Sequence, residues 1–303
     1  MKKIAITDIV KYLGEKMLAM HGPKDGIVTN LADADNVNEY TLDWVNHTKE
    51  EKQLIAEKSK AKVLLVDPTV RYSETLEKQE KTLIIVENPR LYIAKIANEF
   101  FVDKMPAGCD VAAVIHPQAK IHPTAHIGAG CVIGKAIIGS GTVLMPNVVI
   151  YDNVTIGDNC LIQAGTVIGT DGLGCTRDEE GRLTKFPHLG GVIIGNDVEI
   201  GANSQIAKGS FSDTIIEDGC KMNGLCFIAH NCHLEKNVWI TGNTMLCGSV
   251  HVGKNTTIFS SVIVRDQRSI GENATIGMGA VVAKNVPDGE IWIGNPAHKM
   301  ERK

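Results

Sequence analysis

Aromatic residues are scarce in this chain. Its 303 residues include 3 Trp, 5 Tyr and 6 Phe, or 5%. No charge of one sign dominates: 31 Lys and Arg face 35 Asp and Glu, for a net charge of −4. There is no basic surfeit of the kind a nucleic-acid surface needs, so no nucleic-acid partner is expected. Long apolar runs are missing too, so no membrane span is expected. The opening stretch MKKIAITDIVKYLGEKML has two lysines but no continuous apolar segment and no cleavage pattern. It does not read as a signal peptide, and the cytoplasm is the expected compartment. The length suggests two domains.

What is present is a beat of six. From Ile115 to Val282 an aliphatic residue recurs at every sixth position with few interruptions, through 25 aligned hexads. The run 216, 222, 228, 234, 240, 246, 252, 258, 264, 270, 276, 282 has no slip. Neither a helix of period 3.6 nor a strand of period 2 gives this pattern. A parallel β-helix does, because each short strand with its turn takes six residues. Two positions earlier the side chain is small or β-branched, as at Ala125, Cys131, Thr142, Thr166, Cys220, Thr244 and Ala280. Residues two apart on a strand share a face, so both columns point inward. A core of aliphatic rungs accounts for the shortage of aromatics. Gly often follows the aliphatic position, where a tight corner is expected to need permissive backbone. These columns resemble the left-handed hexapeptide-repeat helix, whose members are mostly acyltransferases. The resemblance supplies the handedness and implies three hexads per coil. Residues 18 apart then stack, and the chain forms about eight coils, roughly 40 Å long.

Eight cysteines invite a metal or disulfide reading. Five of them, Cys131, Cys160, Cys220, Cys226 and Cys232, fall in the small inward column. There they act as small hydrophobes, and their spacing is not of the C-x-x-C type. No metal site is expected.

The expected fold is mainly β: a β-helix preceded by a small α/β domain. Residues 1–105 lack the beat. They read as a helix near 7–19, strands at 62–66 and 82–86, and a helix at 89–101. Residues 105–110 read as the link, 106–286 as the β-helix and 287–303 as a short C-terminal cap. The beat is broken by about twenty extra residues between Ile168 and Ile194 and by four between Ile206 and Ile216. A long insertion of this kind is usually functional.

His230 lies two residues past inward-facing Ile228, at a coil corner, with its side chain expected to point outward. A histidine titrates near neutrality and can take a proton from an amine or hydroxyl. Gly248, 18 residues on, should sit one rung above, where its N–H could hold a developing oxyanion. Taken by themselves, the residues fit an exposed corner histidine without a role better. His233 and His251 should also stack, and a stacked pair on a surface could bind a metal or be solvated. Lys208 could meet a phosphate or simply be solvated. Gly-rich 171–174 lacks the strand–turn–helix context of a dinucleotide site and reads either as a loop over the acyl groove or as a flexible turn.

The segments T-V-I-G-T-D-G-L-G (166–174), K-F-P-H-L-G-G (185–191), K-G-S-F-S-D-T (208–214) and I-A-H-N (228–231) resemble one enzyme family. It is the UDP-3-O-(3-hydroxyacyl)glucosamine N-acyltransferase family of lipid A synthesis, and E-N-P-R-L-Y-I-A-K (87–95) fits its uridine-binding domain. The resemblance implies an N-acyltransferase that acylates the amine of a nucleotide-linked amino sugar. It implies His230 as base and the Gly248 amide as oxyanion donor. It also implies Trp44 on the nucleotide, with Asn46 and His47 as nearby polar candidates. Asn231 is expected to orient the substrate, His188 in the insertion to order that loop or touch substrate, and Lys208 to meet a phosphate or the sugar's substituents or to be solvated. The co-substrate would be an acyl carrier protein or coenzyme A thioester, no cofactor would stay bound, and the enzyme would be a homotrimer. Three features depart from the family pattern. Gln267 stands where a second His is expected, Glu50 replaces one aromatic of the nucleotide motif, and the tail I-G-N-P-A-H-K-M (293–300) is like that of coenzyme A-dependent sugar acetyltransferases. Two alternatives stay open. One is a short-chain acyl-CoA sugar acyltransferase for O-antigen or glycan synthesis. The other is a metal-dependent hydratase or non-catalytic module on the same fold.

Overall fold

The computed structural model describes residues 2–300, so 301–303 of the expected cap lie outside the described residues. The chain divides into two compact units at residues 104 and 105.

The first unit is a four-stranded sheet with helices. Thr82–Val86 and Val63–Val66 form its centre, flanked by Met17–His21 on one side and Leu42–Trp44 on the other. Every residue of the two central strands is buried, which is why both read as unbroken apolar runs. Met17–His21 pairs antiparallel and the other neighbours are parallel. The helix expected near 7–19 ends early: it spans Ile6–Leu13, and a 3-10 turn at Gly14–Lys16 leads into the strand Met17–His21. Gly14, at φ 50°, ends it because such backbone is open to glycine. The helix Pro89–Ile96 starts on an Asn88 cap and runs on as one π-turn, Ala97–Phe101. Lys81 is buried, and its ammonium donates to the carbonyls of Ala56, Glu57 and Ser59 at the end of the helix Lys52–Lys58.

The second unit is the β-helix. Three parallel stacks of two- to four-residue strands form the faces of a prism. Nine strands stack on one face, from Val114–Ile115 to Val281–Val282, with Ile133↔Ile150 and Ile228↔Leu246 in register. Aliphatic residues from Ile127 to Val282 in the six-residue column are buried, as are the small residues two positions earlier. Hydroxyls in the small column are satisfied internally: Thr142 and Thr256 donate to Gly157 and Gly271 carbonyls at 2.7 Å. Cys131, Cys160, Cys220, Cys226 and Cys232 are buried and unbridged. Burial pushes the Cys220 thiol up to about 11 and the Cys232 thiol up to about 12. These are inert packing groups at neutral pH.

The corners correct one expectation. Left-handed backbone falls three residues after the aliphatic position, at φ 55–62° for Asn147, Asn153, Asn159, Asn203, Asn231, Asn237, Asn243 and Asn255. Asparagine tolerates that region better than most residues. The Gly directly after the aliphatic residue serves close approach instead. A Cβ on Gly139 would lie 2.4 Å from the Gly157 carbonyl oxygen on the next coil.

The break after Ile168 forms a β-hairpin, Cys175–Arg177 with Leu183–Lys185, turning at 178–182. Gly108–Cys109, expected to be linker, already pairs with His126–Ile127 as the first rung. At the other end Ile291–Ile293 adds to Thr275–Ile276, and His298–Lys299 folds back against it antiparallel. No helix among the described residues is long and apolar enough to cross a membrane.

Candidate active site

His230 leaves the strand Phe227–Ile228 at a corner, where Asn231 at φ 60° turns the chain. The register sets Phe227–Ile228 directly beneath Met245–Leu246, so Gly248 falls above His230. A Cβ on Gly248 would lie 2.6 Å from His230 Cε1 and 2.7 Å from Nε2. The imidazole therefore occupies the space a side chain would need. Among the described residues the Gly248 N–H has no acceptor, whereas its carbonyl accepts from the Gln267 N–H at 2.9 Å.

Asn231 was expected on the substrate, but its side chain is engaged by the protein. Oδ1 lies 3.0 Å from His230 Nδ1 and accepts from the Ser210 amide and hydroxyl at 3.1 and 2.9 Å. Nδ2 donates to the Ser212 carbonyl and hydroxyl at 3.0 and 2.9 Å. Since Oδ1 only accepts, His230 Nδ1 carries the proton and Nε2 keeps a free lone pair. Asn231 thus orients the His230 ring. The backbone N–H of Asn231 bonds the buried hydroxyl of Thr214 at 2.9 Å, which pins the corner.

The hairpin insertion covers one side of His230. His188 is 5% exposed, and its ring meets that of His230 edge to face, with centroids 5.1 Å apart. His188 Nδ1 lies 3.1 Å from the Phe186 carbonyl, while Nε2 is buried without a partner. Burial, reinforced by His230, holds the His188 ring below the usual histidine range, so it stays neutral. Gly172 fits between the two rings: its Cβ would meet His188 Nε2 at 2.5 Å and His230 Cδ2 at 2.9 Å.

Lys208, read as a phosphate contact, is paired with Asp171 at 3.0 Å, and Lys185 reaches the same carboxylate at 2.5 Å. Hydrogen bonds from Lys185 and Lys208 depress the Asp171 carboxyl to about 2. Phe186 packs on Phe211 with ring centroids 5.2 Å apart, joining the two insertions. Below this corner a groove of about 730 Å³ is lined by Val114, Val132, Val149, Tyr151, Asp152 and Lys208.

The other expected residues lie apart. Gln267 holds an exposed left-handed corner (φ 56°), bonded through its N–H to the coil of Gly248. In the first unit Trp44 and Asn46 line a cavity of about 670 Å³ with Asp33, Val37 and Lys58. His47 is exposed and does not line it; its carbonyl accepts from Lys52. The rings of His233 and His251 meet edge to face with centroids 5.2 Å apart, but each has its own glutamate, Glu217 at 2.8 Å and Glu235 at 3.1 Å. No group of three metal-ligating side chains is placed to share an ion among the described residues. Ser210, Ser212 and Asp171 were missed as site residues, although K-G-S-F-S and D-G-L-G mark their positions.

Residues 135–170 match the family model described as bacterial transferase hexapeptide (six repeats). A UDP-3-O-acylglucosamine N-acyltransferase of Delftia acidovorans is 39% identical over 81% of this chain and 72% of its own length. One of Dechloromonas aromatica is 47% identical over 29% of the chain, a match spanning 25% of that relative. Among solved structures, LpxA of Acinetobacter baumannii superposes with a TM-score of 0.57 at 25% identity, covering 63% of this chain and 73% of its own. The shared fold is the left-handed hexapeptide β-helix. Sequence identity over most of the chain and the repeat register agree, and the chain belongs to the UDP-3-O-acylglucosamine N-acyltransferase family.

Proposed function

We propose that this protein transfers an acyl group from a thioester to the amine of a nucleotide-linked amino sugar, as the names of its relatives suggest. One observation carries the reading: a corner imidazole with Nδ1 held by Asn231 and Nε2 set against a glycine with an unpartnered N–H. The amine attacks the thioester carbonyl while His230 Nε2 takes its proton. The Gly248 N–H donates to the oxyanion of the tetrahedral intermediate. The C–S bond then breaks, and the proton passes from His230 to the leaving thiolate. A thioester is already activated, so the step calls for no Lewis acid.

The cavity at Trp44 and Asn46 supports a nucleotide-holding role for the first unit, the indole offering a stacking face. The donor is an acyl carrier protein or coenzyme A thioester, and action in the cytoplasm belongs to the same reading. A homotrimer is proposed as well. The apolar outward column Val114, Val132, Met245 and Ile263 is 42–65% exposed on one prism face and would be covered by a second copy.

The test is acyl transfer to a UDP-linked 3-O-acylglucosamine, with 3-hydroxyacyl carrier protein and short acyl-CoA assayed side by side. His230→Ala should lose about 10³-fold or more in kcat. Activity retained by that variant removes the mechanism. Turnover with coenzyme A donors alone reassigns the enzyme to another amino sugar.

A further inference from the structure

The hairpin insertion delivers a second imidazole to the site, and nothing in the chemistry above uses it. His188 is 95% buried, yet its Nε2 has no hydrogen-bond partner. An unpaired buried acceptor is costly, and a phenyl or aliphatic side chain would fill the space without that cost. The lone pair therefore calls for an explanation. Nδ1 faces the Phe186 carbonyl and so holds the ring proton, which leaves Nε2 as an acceptor. That acceptor and His230 Cδ2 flank the same point above Gly172, at 2.5 and 2.9 Å from it. The edge of His230 that becomes more positive when the ring is protonated is thus near an unused lone pair.

We propose that His188 is a positioning residue that stabilises the charged ring of His230 as it takes the amine proton. The inference rests on His230 acting as the base. Before the proton is taken up, the lone pair of His188 has nothing to meet. When the N–H bond of the amine breaks and the Nε2–H bond of His230 forms, a cation appears beside it. An interaction made only in that state lowers the barrier without tightening substrate binding. His188 serves this purpose only while neutral, and its burial keeps it so. The other charged groups near the pair are Asp171 on the loop, Lys185 on the hairpin and Lys208 at the corner below. Asp171 is neutralised by those two lysines. On the coils above, Cys247 precedes Gly248 and Asp266 precedes Gln267.

Two variants separate electrostatics from packing. His188→Phe keeps a ring of similar shape and loses the acceptor. His188→Gln keeps an acceptor oxygen in place of the ring. Wild type, both variants and His230→Ala are compared for kcat, KM and the pH profile of kcat/KM, with folding checked by thermal melting. His188→Phe should lose about tenfold in kcat with KM within about twofold. Its acidic limb should move to lower pH, because a base deprived of this support protonates less readily. His188→Gln should recover most of both. A His188→Phe enzyme with wild-type kcat and an unmoved limb overturns the proposal. So does a His188→Gln enzyme impaired as much as His188→Phe with no change of limb, which would mean packing alone. If His230→Ala stays active, the base assignment itself has failed, a result distinct from either.

Discussion

In the proposed mechanism Gly248 combines two requirements that a side chain would set against each other. Its N–H faces the reacting carbonyl, and the His230 ring lies against its Cα. A methyl there would sit within 2.7 Å of two imidazole atoms. Gly248→Ala should displace the base by about an ångström, a shift that can cost about 10²-fold in rate. The loss is expected in kcat, with KM and melting temperature little changed, since the ring is on the surface side of the coil. Steady-state kinetics alongside a melting curve checks this. This pair was legible in the sequence because the beat fixes the register and the resemblance implies three hexads per coil, which together stack residues 18 apart. The role of Asn231 was not. Its partners Ser210 and Ser212 belong to the four-residue insertion, where the beat stops and register no longer says which side chains meet. The substrate contact expected of Asn231 was a reasonable use of a free amide, but all its hydrogen-bonding groups are engaged by the protein.

At the level of elements, the insertion is held down by one carboxylate. Asp171 bridges Lys185 of the hairpin and Lys208 of the β-helix corner, and its folded pKa is lowered to about 2. A depressed carboxylate contributes stability above its unfolded value, near 4, and loses it as pH falls through the folded value. The clamp should therefore be constant from pH 8 to 5 and weaken between about 4 and 2. Replacing Asp171 with Asn should speed amide hydrogen exchange across residues 172–187 at neutral pH. The difference from wild type should shrink as pH approaches 2. An equal exchange rate at pH 7 would show that Phe186 and Phe211 hold the hairpin without the ion pairs. The hairpin was legible only as an insertion, although the turn D-E-E-G at 178–181 marks its tip. Residues 17–19 of the strand Met17–His21 read as helix because Met, Leu and Ala favour helices, and tertiary pairing with Thr82–Val86 overrides them. Gly14 was the visible stop signal.

The whole β-helix is close to one-dimensional, since each coil touches only the coils above and below it. Stability in such a stack is a sum of local terms plus contacts between neighbours. The core is one continuous column of aliphatic rungs, which is why composition and period sufficed to read it. A cavity in a middle coil should therefore cost more than the same change in an end coil, where neighbours are fewer and the site is already partly solvated. Ile240 is 1% exposed between Met222 and Ile258, whereas Ile121 is only partly buried near the first coil. Ile240→Ala should lose about 2–5 kcal/mol, and Ile121→Ala less than half as much, because less surface is buried there to lose. Denaturant unfolding at one fixed protein concentration reads both, so that the proposed assembly does not enter the comparison. Equal losses at the two sites would mean that the coils unfold as a single cooperative block with a solvent-excluded end, so something covers the first coil. Unequal losses, with a shallower transition for Ile240→Ala, would mean that the middle coils can open while the rest of the stack stays folded. The proposed active corner at His230 and Gly248 lies within one coil of Ile240, so in that case partial opening would remove activity before global unfolding. Activity should then fall at lower denaturant than the global signal in that variant.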